Sequence, residues 1–218
     1  MNIRYDIIAE YLPFFLKGTL LTLGLTIAGI SIGVILGLVI GLGKMANTPA
    51  VRFPFVWYIN FFRGTPFLVQ LLLIHFGVVP LFMTPANPIV SAIIALSLNA
   101  SAYIAEIFRA GIQSIDKGQM EAARSLGMSH NQAMKLVILP QAIKRMIPPL
   151  GNEFIVLLKE TSLAAIIAAP ELMYWGRAAQ GAHIRVWEPY ITVAIIYLIL
   201  TLSLTQLMNY IERRMRME

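Results

Sequence analysis

Long apolar stretches alternate with polar segments along this chain. Four of them are long enough to cross roughly 30 Å of hydrocarbon as helices, and they cover residues 18–43, 57–79, 89–108 and 188–210. A fifth stretch, 148–169, is mostly apolar but contains Glu153, Lys159 and Glu160. Each of these charges costs about 2.5–3.5 kcal/mol at mid-bilayer, a cost that a functional role would explain. We therefore predict an all-α membrane protein with five transmembrane helices.

The first 17 residues carry Arg4, Asp6, Glu10 and Lys17 between apolar positions. This pattern predicts a short amphipathic helix at the membrane interface. The apolar run that follows is too long for the core of a cleaved signal peptide, so it is predicted to be a retained first span. The first span is also rich in glycine, which allows a neighbouring helix to approach closely. These glycines are Gly24, Gly29, Gly33, Gly37, Gly41 and Gly43.

Composition supports the membrane assignment. With 58% hydrophobic and 13% charged residues among 218, the chain has too much apolar surface to hide in one water-soluble core. There is no cysteine, and His75, His130 and His183 are too scattered to indicate a metal site. The net charge of +6 comes from basic residues that flank the apolar stretches, so it indicates membrane orientation and not nucleic-acid binding.

The positions of lysine and arginine predict the orientation. Twelve of the 17 basic residues lie in the segment 44–56, at Arg63, in the segment 109–147 or in the C-terminal tail. Four lie on the other side, and Lys159 falls inside a span. The positive-inside rule then places the N-terminus outside and the C-terminus in the cytoplasm. The polar segment 111–147 is predicted to face the cytoplasm as well.

This cytoplasmic segment has the pattern of two short helices, 119–125 and 130–136. Gly127 is expected to break the helical path between them, and Ser129 is expected to cap the second helix. A short helix on the membrane face can insert into a groove of a partner and transmit movement, and we predict that Gly127 to Gln132 make that contact. An ordinary amphipathic connector would show a similar pattern.

The spacing of Glu121-Ala122-Ala123, Gly127, Val137 and Leu139-Pro140 resembles the signature loop of permease subunits of bacterial ATP-binding-cassette (ABC) importers, although isoleucine is commoner at the Val137 position. Other segments resemble the permeases of polar amino-acid importers in particular. They are Phe62-Arg63-Gly64-Thr65-Pro66 with Leu68-Val69-Gln70, Ala102-Tyr103-Ile104-Ala105-Glu106 with Arg109, Gly118-Gln119, and Leu158-Lys159-Glu160-Thr161-Ser162-Leu163. The resemblance covers about residues 15–210.

The resemblance implies a single permease domain with the type I ABC importer architecture in the bacterial inner membrane. Such a subunit works as one of a pair, with two ATP-binding subunits and an extracytoplasmic amino-acid-binding protein, by alternating access. No Gly-x-x-x-x-Gly-Lys-Ser/Thr segment is present, so ATP and magnesium are expected on the partner subunits and not on this chain. The residues expected to dock the ATPase are Glu121, Ala122, Ala123, Gly127, Met128, Ser129, His130, Asn131 and Gln132.

Glu153 and Glu160 are seven positions apart and project from nearly the same face of a helix. Because an unpaired carboxylate is costly in hydrocarbon, each needs a wet cavity, another helix or a ligand. We predict that they bind a polar amino acid, preferentially a cationic one: arginine, lysine or histidine. The further predicted substrate-binding residues are Asn99, Ser101, Tyr103, Thr161 and Ser162. Alternatively, the carboxylates only pair with Lys159 or with Arg109 of a second subunit.

The sequence is also compatible with three other functions. The substrate class could be glutamine or glutamate, or the buried carboxylates could bind H⁺ or Na⁺ in an ion-coupled secondary carrier. An internal duplication is the usual mark of such carriers, and the five predicted spans show none. A membrane scaffold that only recruits a cytosolic protein would leave the acidic pair without a role. An outer loop is expected to contact the binding protein or to form an aromatic belt; its residues are Trp175, Arg177, Gln180, His183, Arg185 and Trp187.

Overall fold

The computed structural model describes residues 4–216, so the first three residues of the predicted interfacial segment lie outside the described range. Every regular element in this range is helical, as predicted. The α-helices are α1 Tyr5–Lys44, α2 Pro49–Gly64, α3 Phe67–Leu73, α4 Pro88–Gln113, α5 Lys117–Ser125, α6 His130–Ala133, α7 Leu139–Glu160, α8 Leu172–His183 and α9 Trp187–Arg216. Two π-helical turns, Ile74–Val78 and Met134–Ile138, and two 3₁₀ segments, Val79–Leu81 and Thr161–Ile167, complete the described chain.

Three helices of the described chain are long and apolar enough to cross a membrane: Tyr5–Lys44, Pro88–Gln113 and Trp187–Arg214. A fourth crossing is obtained if the bent pair Pro49–Gly64 and Phe67–Leu81 counts as one span. The predicted span 148–169 has different bounds, because α7 begins at Leu139 and gives way after Glu160 to a 3₁₀ segment. Five spans and the orientation of the chain therefore remain predictions.

The N-terminal segment and the first predicted span form one continuous helix. α1 contains Pro13 and runs without interruption across residue 17, so the expectation of a separate interfacial helix is not met. Phe15 is 1% exposed and packs with Leu172 and Ala179 of α8, and this packing fixes the first turns as an extension of the span. At 1.5 Å per residue, the 40 residues of α1 reach about 60 Å, twice the thickness of the hydrocarbon core.

The second predicted span is not continuous. The chain bends by 110° between α2 and α3, where Thr65 is extended with φ −119° and ψ 148°. Pro66 causes the break, because a proline disfavours helical geometry in the residue before it and has no N–H to donate. The Gln70 amide donates to the carbonyls of Phe62 and Thr65 at 2.8 and 3.0 Å, which satisfies backbone groups that the bend leaves without helical partners.

Close packing of α1 on α4 forms the centre of the bundle. Gly29, Gly33, Gly37 and Gly41 follow one another at every fourth position and face α4, as the glycine pattern predicted. A Cβ atom at Gly37 would lie 2.9 Å from the Ile104 side chain and 2.9 Å from a backbone carbonyl oxygen of α4. Glycine is therefore required for this approach. Gly24 faces open space and has no such role.

The predicted outer loop is instead largely helix α8, which begins at Leu172 and carries Trp175, Arg177, Gln180 and His183. Glu171 caps this helix and was not singled out from the sequence. Its fully buried carboxylate accepts hydrogen bonds from the backbone of Met173 and Tyr174 at 2.8 and 2.7 Å and from the Tyr197 hydroxyl at 3.0 Å. These bonds tie the start of α8 to α9, so the segment packs as part of the bundle.

Gly37→Ala should destabilise the protein by about 1–3 kcal/mol, because the added methyl group has no room between α1 and α4. Gly24→Ala is the matched control in the same helix. It should be neutral or stabilise by up to about 1 kcal/mol, since alanine has the higher helix propensity. Thermal unfolding of the detergent-purified variants measures both effects. Equal melting temperatures would contradict the assigned packing.

Candidate functional site

Residues 117–133 form an exposed hairpin, called the α5–α6 hairpin below. Asp116 caps α5 by accepting a hydrogen bond from the backbone of Gly118 at 2.6 Å. At the other end Gly127 has φ +84°, its N–H donates to the Arg124 carbonyl, and the Met128 N–H donates to the Ala123 carbonyl. This pair of bonds is a Schellman motif, which favours glycine in the left-handed conformation. The breaker predicted at Gly127 is confirmed.

The second arm of the hairpin begins with a capping box. The Ser129 hydroxyl accepts from the Gln132 N–H at 3.3 Å, and the Gln132 side chain accepts from the Ser129 N–H at 2.8 Å. The predicted N-cap is thus confirmed, but the helix does not end at residue 136. α6 continues through the π-turn Met134–Ile138 into α7, so the predicted loop 111–147 is largely helical. The hairpin is consequently joined by a continuous helical path to Glu160.

The surface of the hairpin is accessible and partly apolar. Of the nine predicted docking residues, Ala123 is 4% exposed and Met128 is half-buried, whereas the other seven are exposed. Leu126 of the hairpin and Leu136 of the π-turn that follows it are 83% and 62% exposed. Buried side chains beneath the hairpin form one cluster that holds it against the bundle, namely Ile115, Ile138, Ala142 and Met146. Exposed leucines on a supported surface are typical of a site that a partner covers.

A cavity of about 630 Å³ lies at the same end of the bundle, between α2, α4 and α7, and is called the charged cavity below. Its polar lining residues carry both signs of charge. They are Arg63, Tyr103, Glu106, Arg109, Ser114, Arg145, Asn152 and Glu153. The volume falls within the range of about 300–1,000 Å³ that is typical of small-molecule sites.

Glu106 is the centre of a charge network at the rim of this cavity. It accepts from Arg109, three positions later in α4, at 2.8 Å, and it also pairs with Lys44 of α1. Arg63 of α2 lies 3.7 Å from the Glu106 Oε2 atom, which is the oxygen that accepts from Arg109. The Arg63 guanidinium carbon lies 5.3 Å from the centre of the Tyr103 ring. One carboxylate thus serves three cations, so this region keeps an excess of positive charge.

Glu153 is the other acidic residue of the charged cavity. It is 7% exposed, and within residues 4–214 no side chain pairs with it at ion-pair distance. A buried carboxylate of this kind needs a cation, a hydrogen-bond donor or water. The cations that line the same cavity are arginines: Arg109 is committed to Glu106, and Arg63 attracts Glu153 without reaching ion-pair distance. The geometry therefore leaves Glu153 available to a ligand that carries a positive group.

Three residues predicted to bind substrate are instead buried in the packing of the bundle. Asn99 is 3% exposed and donates to the Gln70 side chain at 2.9 Å. Ser101 is fully buried, 2.8 Å from the Tyr58 hydroxyl, and Thr161 is fully buried and donates to a carbonyl one turn earlier. Since their polar groups already have protein partners, they do not face the cavity. None of the three lines the charged cavity in this structure, and their role in substrate binding stays a prediction.

Glu160 and Ser162 are also absent from the lining of the charged cavity. Glu160 is half-buried at the end of α7, beside the exposed Lys159. Ser162 donates to the Lys159 carbonyl at 2.7 Å and faces a separate cavity against α8 and α9. Glu160 therefore does not line the charged cavity with Glu153, and of the predicted substrate residues only Glu153 and Tyr103 line it.

Arg145 and Asn152 belong to the charged cavity and were not predicted from the sequence. The Arg145 guanidinium donates to the Ser114 carbonyl, so it also links α7 to the end of α4. The signal was available, because positions 145, 149, 152 and 153 recur with the spacing of one helix face. It was hidden by the assumption that the helix starts at Pro148.

Together these features define an all-helical membrane protein in which an internal cavity with both charge signs and an exposed hairpin share one helical path. Residues 7–217 match the family described as binding-protein-dependent transport system inner membrane component. The chain belongs to this family of ABC importer permeases, which confirms the resemblance stated from its motifs.

Curated relatives match over nearly the whole chain. The arginine transport system permease protein ArtQ of Bacillus subtilis is 38% identical, with 99% of both chains covered. The glutamine transport system permease protein GlnP of Escherichia coli is 35% identical over 99% of both chains. The L-cystine transport system permease protein TcyB of B. subtilis is 41% identical and covers 98% of this chain and 92% of its own. All three are amino-acid permeases.

Solved structures agree with this assignment. A crystal structure of an amino acid ABC transporter with histidines matches with a TM-score of 0.92 and 45% identity, covering 98% of this chain and 100% of that one. An inward-facing structure of the MetNI methionine ABC transporter shares the fold, with a TM-score of 0.81 at 21% identity and coverage of 94% and 98%. The type I importer fold is therefore that of this chain.

Glu106→Gln should destabilise the folded protein by about 1–3 kcal/mol, because it leaves Lys44, Arg63 and Arg109 without their shared counter-charge. The double variant Glu106→Gln/Lys44→Gln should recover part of this loss, since it removes one of the cations left unpaired. Thermal unfolding in detergent at low and high salt measures both changes. A double variant that is no more stable than the single one would show that charge balance is not the cause.

Proposed function

We propose that this chain is the membrane subunit of an ATP-driven importer that moves polar, preferentially cationic, amino acids into the cytoplasm. The observation that carries the proposal is the position of Glu153. This unpaired carboxylate lies in the charged cavity and on the same helical path as the exposed α5–α6 hairpin. Amino-acid permeases among the relatives, including one for arginine, support the substrate class.

The proposed assembly contains a second permease subunit, either another copy or a sibling, two ATP-binding subunits and an extracytoplasmic amino-acid-binding protein. ATP and magnesium would be bound by the ATP-binding subunits. The α5–α6 hairpin would insert into a groove of one such subunit, with Leu126 and the Gly127–Gln132 turn at the contact. The exposed apolar side chains at this surface support that role.

Movement would reach the cavity through the backbone. When the ATP-binding subunits close, the hairpin is displaced, and α7 follows because it continues from the same helix. α7 carries Arg145, Asn152 and Glu153 on the face that lines the cavity. A shift of this face against α4 would change which side of the membrane the cavity opens to. This is alternating access, with energy supplied from outside this chain.

The charged cavity suits a zwitterion with an additional positive group. Glu153 would accept hydrogen bonds from the ammonium or guanidinium group of the ligand. Arg63 would contact the α-carboxylate of the ligand, because its side chain is 43% exposed and is held by Glu106 only at the long distance of 3.7 Å. Tyr103 would position the ligand beside Arg63. Asn99, Ser101 and Thr161 would act indirectly, by holding the helices in place.

A second candidate is an importer for glutamine or glutamate. It is favoured by the excess of arginine over acidic residues in the cavity lining and by the glutamine permease among the relatives. Both candidates can be tested on the complex reconstituted with its ATP-binding and amino-acid-binding partners. Substrate-stimulated ATP hydrolysis is measured with arginine, lysine, histidine, glutamine and glutamate. Stimulation by the first three supports the cationic assignment, and stimulation by glutamine or glutamate alone overturns it.

Glu153→Gln should raise the concentration of arginine needed for half-maximal transport about tenfold, since it removes a charged hydrogen-bond partner. Transport of glutamine should change much less. Glu160→Gln, on the same helix but outside the charged cavity, is the matched comparison. Uptake of radiolabelled arginine and glutamine into proteoliposomes measures the effect. An equal loss of arginine and glutamine uptake would show that Glu153 does not recognise the positive group of the substrate.

Gly127→Pro should uncouple ATP hydrolysis from transport. Proline fixes φ near −65° and cannot adopt the +84° of Gly127, so the Schellman turn and the entry to α6 would be rebuilt. Gly127→Asn is the control, because asparagine tolerates the left-handed conformation. The ratio of substrate imported to ATP hydrolysed should fall severalfold in the proline variant and be retained in the asparagine variant. An unchanged ratio in the proline variant would refute the docking role.

A further inference from the structure

A second cavity, of about 680 Å³, lies where the ends of α1 and α4 meet the start of α2, and is called the basic cavity below. It shares Arg109 with the charged cavity, but its other lining residues are distinct. Lys44, Arg52 and Arg109 supply its cations, and Asn47 and Gln113 supply amide groups. No acidic side chain of the described chain lines it.

The cations of the basic cavity exceed the acidic groups that neutralise them. Among the described carboxylates, only Glu106 is within 4.0 Å of Lys44 or Arg109, and it is shared with Arg63. Arg52 is exposed and forms no ion pair with any residue of the described range. The start of α2 adds partial positive charge, since Thr48 provides no side-chain cap there. The cavity is thus suited to an anion.

An apolar groove of about 310 Å³ adjoins the basic cavity. Only apolar side chains from α1, α4 and α7 line it, among them Leu42, Phe108 and Ile143. Met45 lines both the groove and the basic cavity, so the two spaces border the same side chain. A soluble anion would fill only the first space, whereas a ligand with an anionic head and a hydrocarbon tail would fill both.

The position along the bundle agrees with such a ligand. Arg109 and Gln113 lie in the last turns of α4, and the chain continues from there into the α5–α6 hairpin. The basic cavity is therefore at the hairpin end of the bundle, which is the cytoplasmic surface if the proposed function holds. Exposed Val39 and Leu42 of α1 precede it along the helix and are suited to contact with acyl chains. Basic pockets at this level commonly bind anionic lipid head groups.

We propose that the basic cavity binds the phosphate-bearing head group of an anionic phospholipid, with one acyl chain in the adjoining groove. Arg52 is the principal phosphate ligand, and Lys44 and Gln113 complete the contact. The assignment to the cytoplasmic leaflet rests on the proposed function, but the lipid site itself does not. By this contact the lipid links α1, α2 and α4 at the end that faces the ATP-binding subunits.

The test is made on the purified complex of permease and ATP-binding subunits in nanodiscs of mixed phosphatidylcholine and phosphatidylglycerol. Native mass spectrometry counts the lipids that each complex retains. The wild type should retain phosphatidylglycerol in preference to phosphatidylcholine. Arg52→Gln should retain about fivefold less, the factor expected for one cation at a membrane surface. Arg52→Lys should keep most of the retention, because it keeps the charge.

Two further variants control the result. Arg214→Gln removes a cation near the end of α9 that lies over the Tyr210 ring and not in the basic cavity, so it should retain lipid like the wild type. Ile143→Trp fills the apolar groove at a position that is 53% exposed, so it should lower retention while leaving Arg52 in place. A loss confined to Arg52→Gln and Ile143→Trp supports a lipid with both head and tail contacts.

Other outcomes overturn the proposal. If the wild type shows no lipid preference but binds inorganic phosphate through Arg52, the ligand is a soluble anion. If Arg52→Gln releases the ATP-binding subunits while lipid retention stays constant, the cavity belongs to the protein interface. Retention is measured without amino acid, so a failure of the proposed transport function would appear in the uptake assays and leave this measurement unaffected.

Discussion

The continuity of the backbone from the hairpin to the cavity is the constraint on which the remaining structure depends. The capping box at Ser129 fixes where the helix begins, and the path then runs through the π-turn to the face of α7 that carries Glu153. A helix resists bending over a few turns, so a displacement of α6 is either passed to α7 or absorbed at the π-turn and at Pro148 and Pro149. Cavity and hairpin thus lie on one helical path, and the π-turn and the two prolines are the points at which that path can bend.

Charge balance couples the two cavities in a different way. Glu106 is shared by Lys44, which faces the basic cavity, and by Arg63, which faces the charged one. An anion beside Lys44 would leave more of this carboxylate for Arg63, the cation that lines the same space as Glu153. Because linkage is reciprocal, a substrate that engages Arg63 would in turn favour the pairing of Glu106 with Lys44. Lipid composition and substrate affinity would then depend on one another.

Local signals in the sequence were sufficient for the all-helical class, the glycine contacts of α1, the Gly127 turn and the Ser129 cap, since each depends on neighbouring residues. The break at Pro66 was missed because the apolar residues on both sides of Arg63-Gly64-Thr65-Pro66 together have the length of one span. The protein partners of Asn99 and Ser101 were missed for another reason. A polar residue in an apolar helix can serve a ligand or a neighbouring helix, and only the positions of Gln70 and Tyr58 distinguish the two. The α7 face was missed because its true start lies before Pro148.

The side-chain amide of Gln70 stabilises the bend between α2 and α3. It closes the kink after α2 from within the protein, and Asn99 of α4 holds its carbonyl end in turn. The carbonyls of Phe62 and Thr65 therefore have a protein donor at that corner and need no water. The bend between α2 and α3, which positions Arg63 at the charged cavity, can therefore keep its angle whether or not that cavity contains water.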